Sequence, residues 1–393
     1  MRQKVLAILA SVTFVAAMWV TLPPALRQYR RAVERRATAG ERAAPRPAAD
    51  ALSSPNDPQA VATDAPAPAA RATPAAPAAP ATAEPPRGIK ARVRTYLESH
   101  GMTGAVTAVQ RMLRYLVDPR AWLWLAFFLL LERLIPAKPI QRLFSANKLM
   151  DFLYPVFNAT VRGVVLVVGY GPVRAFYENY LPFLNLRLLD DVPYAVQGLG
   201  AFLAMDFAFW FSHWVRHKVP WLWHFHSVHH SQTELSPLTA WRAHPLEALF
   251  IYTLTLIPVG IVGGDRSTWI VVTILYGVAW PPFIHSNVKT NLGWLKYIIV
   301  SPQFHRVHHS TNPKQHDMNY GEHLIIWDWL FRTMEKDTEV YPDTGIGYGE
   351  FIEERSRTPW GLLVMWVKQC VYPFMMIGRS VGGALARATG RRD

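Results

Sequence analysis

Thirteen of the 14 histidines in this chain lie between His213 and His323, and their spacing is that of metal ligands. His213 and His217 stand four apart in FSHWVRHKVP, so a helix puts both imidazoles on one face, one turn apart. Pro220 ends that helix. His226, His229 and His230 in FHSVHHS occupy positions i, i+3 and i+4 and project from one side of a second helical turn. His305, His308 and His309 in FHRVHHS repeat the pattern. A single four-coordinate zinc would use half of these eight imidazoles, whereas two ions of higher coordination number would use them all and accept more.

Further ligands are available nearby. His285 in FIHSN is the expected ninth, and His244 in RAHPLE or His323 in NYGEHL could complete the shells. His224 and His316 read as surface or outer groups, and His100 as unrelated. Asp206 lies seven residues before His213, on nearly the same helical face. It is expected to accept a hydrogen bond from a ligating imidazole and so fix its tautomer. Imidazole suits iron, copper, zinc and nickel alike. The absence of HExxH argues against a zinc protease, and the absence of a Glu-x-x-His pair argues against a carboxylate-bridged centre in a four-helix bundle. Structural metal binding and bis-histidine haem ligation stay open at this level. Cys370 is the only cysteine, which removes thiolate sites and intrachain disulfides.

The elements that must carry these residues read as membrane helices. Half of the 393 residues are apolar (51%) and only 18% are charged, so much of the apolar surface must face lipid. The net charge of +13 suits either nucleic acid or an anionic membrane surface, and the apolar runs favour the membrane over nucleic acid. Residues 1–26 hold an uncharged apolar run, an anchor or an uncleaved signal, followed by the basic stretch RQYRRAVERR that would keep that end cytoplasmic. From there to residue 88 the chain becomes an Ala- and Pro-rich linker. Residues 89–118 read as a basic amphipathic helix. Apolar runs at 121–131, 152–173, 195–212, 248–262 and 268–284 suggest about four membrane helices, and WGLLVMWVKQCVYPFMM at 360–376 looks interfacial. The fold class expected is all-α: a membrane-embedded helical bundle with a cytoplasmic helical cap carrying the histidines.

The text DFAFWFSHWVRHKVPWLWHFHSVHHS, then TAWRAHPLE, FIHSN, SPQFHRVHHSTN and DMNYGEHLIIWDWLF, resembles the fatty acid hydroxylase/sterol desaturase superfamily of membrane diiron enzymes. The likeness covers residues 195–335, within a membrane domain expected over 119–393. It implies metal ligation by His213, His217, His226, His229, His230, His305, His308 and His309, with His285 standing where a further histidine box occurs. Pro281 departs from the pattern where some members have another histidine, a gap that His244 or His323 would fill. The resemblance further implies two iron ions, O2 as co-substrate, and hydroxylation of an unactivated C–H of a lipid: fatty acyl, sterol, carotenoid or ether lipid. Desaturation is the alternative chemistry, and a non-catalytic membrane metal-binding protein the alternative class. No flavin, dinucleotide or cytochrome motif is visible, so electrons are expected from a separate cytochrome b5-like or ferredoxin-like protein. The expected location is a multi-pass membrane, the inner one if the chain is bacterial, with the histidines toward the cytoplasm.

Overall fold

The computed structural model describes residues 119–142, 145–263, 280–347 and 356–388, with the single position Thr95. The expected anchor and linker, nearly all of the expected amphipathic helix, and most of the run 268–284 lie outside the described residues. Within them the fold is helical, as expected, with three isolated bridges and no sheet. The helices are α1 (Pro119–Leu134), α2 (Ala146–Tyr180), α3 (Tyr194–Lys218), α4 (Pro220–His230), α5 (Glu247–Val262), α6 (Trp280–Ile284), α7 (Pro302–His308), α8 (Ile326–Leu330) and α9 (Pro359–Ala388).

Local chemistry sets where the short ligand-bearing helices begin. Val219 precedes a proline, which disfavours helical backbone, so α3 stops and α4 restarts with Pro220 at its first position. Helix α7 starts in the same way with Pro302, and its N-cap Ser301 accepts a hydrogen bond from the Phe304 amide. Gly263 ends α5 at φ +71°, a conformation that a side chain would strain.

Three packed regions lie behind the histidines. Val228 of α4 packs with Met150 and Tyr154 of α2 and with Leu362 and Trp366 of α9. Phe128 and Leu131 of α1 pack with Phe283 and Ile284 of α6 and Phe304 of α7. Ala201 and Met205 of α3 meet Val259 and Val262 of α5. Each carrier of a histidine is thus fixed by apolar contact on its other side, which holds a site more rigidly than a loop would.

Among the described residues, Tyr194–Lys218 and Pro359–Gly383 are long and apolar enough to cross a membrane. Helix α2, bent by 42° between Asn158 and Val161, makes a third if its halves count as one span. These two or three long apolar helices among the described residues point to an integral membrane protein; the expected span at 268–284 lies mostly outside the described residues. Helix α5, with 16 residues, falls short of the roughly 20 needed to cross. The segment 360–376, read above as interfacial, is instead part of a 30-residue helix, because GRSVGGALARA continues it without a break.

Candidate metal centre

Nine buried or nearly buried histidines meet where α3, α4, α6 and α7 converge, and they divide into two groups. His213, His217, His226, His230 and His308 form one; His229, His285, His305 and His309 form the other. Within each group one ring nitrogen per residue lies within 4.8 Å of all the rest. The division follows from helix geometry. Positions i and i+4 share a face while i+3 is turned away from it by about 60°. On α4, His226 and His230 therefore serve the first group and His229 the second. At α7 the assignment is reversed: His305 and His309 serve the second group and His308 the first. Each triad thus straddles both groups and does not act as a unit.

The outer nitrogens are anchored. Nδ1 of His213 lies 2.9 Å from the Tyr320 carbonyl, that of His229 2.9 Å from Arg242 O, and that of His308 2.9 Å from Met318 O. Nδ1 of His285 lies 2.7 Å from Pro281 O. A carbonyl can only accept, so these partners assign the proton to Nδ1 and leave the Nε2 lone pair pointing inward. His226 places Nδ1 2.7 Å from Glu247 Oε1. Inside the second group Nε2 atoms face one another, His285 to His229 at 3.1 Å and His305 to His285 at 2.9 Å. In the first group, buried Nε2 atoms of His213, His226 and His308 have no hydrogen-bond partner. Converging lone pairs repel unless a cation lies between them. Burial, first of all, pushes His229, His230, His305, His308 and His309 well below the ordinary imidazole range, and His285 to about 4. A proton is therefore a poor candidate for that cation, and the donor set fits metal ions.

Around the imidazoles lies a charged framework that sequence reading passed over. Arg216 Nη1 donates to Glu247 Oε1 at 3.2 Å, and its other terminal nitrogen lies 4.0 Å from Glu322. Arg242, fully buried, donates to Asp151 at 3.0 Å, Val228 O at 2.8 Å and Ser231 at 2.8 Å, while its own carbonyl takes the His229 proton. Asp317 lies 3.5 Å from His217 and 2.6 Å from Lys218, and these partners hold its carboxyl well below the usual range.

The remaining expected site residues fall outside the two groups. Asp206 accepts from the Trp327 indole at 2.8 Å, whereas His213 uses a carbonyl; the carboxylates beside imidazoles are Glu247, at His226, and Asp317, at His217. His244 places Nε2 2.9 Å from Cys370 O and accepts from the Leu246 amide, so both nitrogens serve the fold. His323 packs against Trp280 and Phe202, away from both groups.

Two openings reach the centre. A cavity of about 860 Å³ is lined by His226, His229, His285 and His305, and continues past apolar side chains such as Leu166, Phe209, Ile251 and Leu256. A separate pocket of about 310 Å³ touches His217, His230 and His308, with Trp223 and Asp317. The Trp223 ring centre is 4.9 Å from that of His217 and 5.2 Å from that of His230.

Comparison with known proteins gives this geometry a family. The fatty acid hydroxylase model matches residues 198–333. The chain is 31% identical over 203 residues to the very-long-chain aldehyde decarbonylase GL1-8 of Oryza sativa subsp. indica, covering 48% of this chain and 68% of that one. The chain belongs to the fatty acid hydroxylase family. It is similar to the ornithine lipid hydroxylase OlsE of Rhizobium tropici, at 28% identity over 249 residues, 59% of this chain and 71% of the relative. It is also similar to human alkylglycerol monooxygenase, at 34% identity over 163 residues, 42% of this chain and 35% of that enzyme. The chain thus matches about a third of the length of that monooxygenase. No solved structure matches significantly. The resemblance read from the histidine boxes is confirmed, and the protein is an oxidoreductase of this family with membrane helices and buried histidine clusters that could hold metal ions.

Proposed function

We propose that the chain is a membrane diiron oxygenase that hydroxylates an unactivated C–H bond of a lipid. The observation that carries this reading is that the cavity ends on four of the nine clustered histidines. An alkyl chain lying in it would bring its carbon to both groups at once. Iron is chosen over zinc because the group of five imidazoles exceeds the four ligands that structural zinc uses, and because relatives are named as hydroxylases and monooxygenases. Iron bound by the two groups would supply activation of O2.

The chain's own residues do the rest. Apolar walls formed by Leu166, Phe209, Ile251 and Leu256 hold the lipid and exclude water. Carbonyls of Arg242, Pro281, Met318 and Tyr320 hold the protons of their imidazoles and keep the ligand nitrogens in place. Overall, the C–H bond and O2, with two electrons and two protons, become an alcohol and water. A separate cytochrome b5-like or ferredoxin-like protein supplies the electrons, the histidines face the cytoplasm, and the membrane is the inner one if the chain is bacterial.

Purified protein assayed with a reductant, O2 and a lipid extract provides the test. The expected result is about two irons per chain and product heavier by one oxygen, both lost in the double variant His229→Ala, His308→Ala. Zinc in place of iron with no oxygen uptake, or a fully active double variant, would overturn the reading.

A further inference from the structure

At its histidine end the cavity is not apolar: Arg162, Arg216, Glu247 and Glu322 all line it there. Charge inside a membrane bundle is costly and marks a working site. Arg216 is consumed by the framework, bonding Ser212 O at 3.2 Å and Glu247 Oε1 at 3.2 Å. Glu247 is consumed on one side only. Its Oε1 serves His226 and Arg216, while Oε2 is buried without a hydrogen-bond partner in a side chain 2% exposed. Arg162 reaches the same end from α2. It interacts with Glu247 and Arg216 through charge alone, with no hydrogen bond to either.

We propose that Arg162 and Glu247 Oε2 recognise the polar head of the lipid, which enters head first and rests beside the histidines. This inference rests on the oxygenase reading. Arg162 offers N–H donors to an oxygen of the head, and Glu247 Oε2 takes an N–H or O–H from it. The head must therefore carry a donor and an acceptor a few bonds apart, as glycerol and aminoacyl heads do. A hydrocarbon supplies neither and an ionised fatty acid supplies only the acceptor. A polar head held at Glu247, one hydrogen bond from His226, sets the reacting carbon near the head and leaves the tail along Phe209, Ile251 and Leu256.

Equilibrium binding to the metal-loaded protein in detergent separates the cases, using dodecyl chains bearing a glycerol head, an aminoacyl amide head, or no head. Wild type is expected to prefer at least one headed lipid over the alkane by about tenfold or more. Arg162→Leu should lose most of that preference with unchanged iron content, and Arg162→Lys should recover part of it. The glycerol and aminoacyl arms tell which head chemistry the site takes. Equal binding of the alkane by wild type, or an undiminished preference in Arg162→Leu, would overturn the proposal. The wild-type comparison decides even if Arg162→Leu does not fold. Binding is read without turnover, so failure of the oxygenase reading, seen as absent iron or absent product, is recorded separately.

Discussion

Nε2 of His229 and Nε2 of His285 lie 3.1 Å apart, although each ring has its proton on the opposite nitrogen, donated to Arg242 O and Pro281 O. Two acceptors held at hydrogen-bonding distance with no hydrogen between them define a cation site. This pair belongs wholly to the second group, and the two groups share no residue.

Metal loss should accordingly be site-specific. His285→Ala is expected to lower the iron content from about two per chain to about one, and His217→Ala to do the same through the other site. Metal analysis of each purified variant checks this. Loss of all metal in both would show that the sites fill only together.

The metal-free protein should weaken as pH falls. Burial lowers His285 to about 4 in the folded chain, and His244 likewise to about 4, against an ordinary value near 6.5 once unfolded. Between these values the unfolded chain binds protons that the folded chain refuses, so stability is present above about pH 6.5 and is lost on descent toward pH 4. Each such histidine contributes up to about 1.4 kcal/mol per pH unit in that window. Thermal unfolding of the chelated protein across this range should show a steadily falling midpoint.

Glu247→Leu should be severely destabilising. It leaves Arg216 buried with only Glu322, at 4.0 Å, opposite it, and it takes the acceptor from His226. Breaking a buried pair from one side costs about 3–5 kcal/mol. Chemical unfolding in detergent measures the loss; a change under about 1 kcal/mol would mean that the pair is solvated.

Ala248→Phe tests the cavity as the lipid site. Ala248 is buried on α5, a helix that carries none of the clustered histidines, and lines the cavity. A phenyl ring there fills space that an alkyl chain would use. Iron content should persist while turnover of long-chain lipid falls by about tenfold or more. Unaltered turnover would place the lipid elsewhere.

All nine clustered histidines were legible in the sequence, because a helix turns i, i+3 and i+4 spacing into adjacency. Which part of each triad joins which group was not legible. That His308 sits with His213, and not with its neighbour His309, depends on how α7 is rotated against α3, which is set by Phe304 packing on Phe128 and Phe283. Glu247 stood in the quoted motif RAHPLE, and an acid at the head of an apolar helix was a usable signal. Asp206 looked equally good by helical phase, but the Trp327 indole takes that carboxylate, a partner 121 residues away that no periodicity reveals. The run at 248–262 read as a span by composition, but α5 is too short to cross once its ends are drawn.

The cavity and the smaller pocket at His217, His230 and His308 have no lining residue in common. In the proposed reading a lipid filling the cavity would leave the smaller pocket unobstructed, where the Trp223 indole stands beside the His217 and His230 imidazoles. Greasy and aqueous traffic can therefore proceed at the same time, and the order of arrival is free. If the electron donor proposed above acts through the smaller pocket, it need not leave before the lipid arrives, so steady-state rates should depend on both concentrations in the intersecting pattern of a ternary complex, without the parallel lines of alternating occupancy.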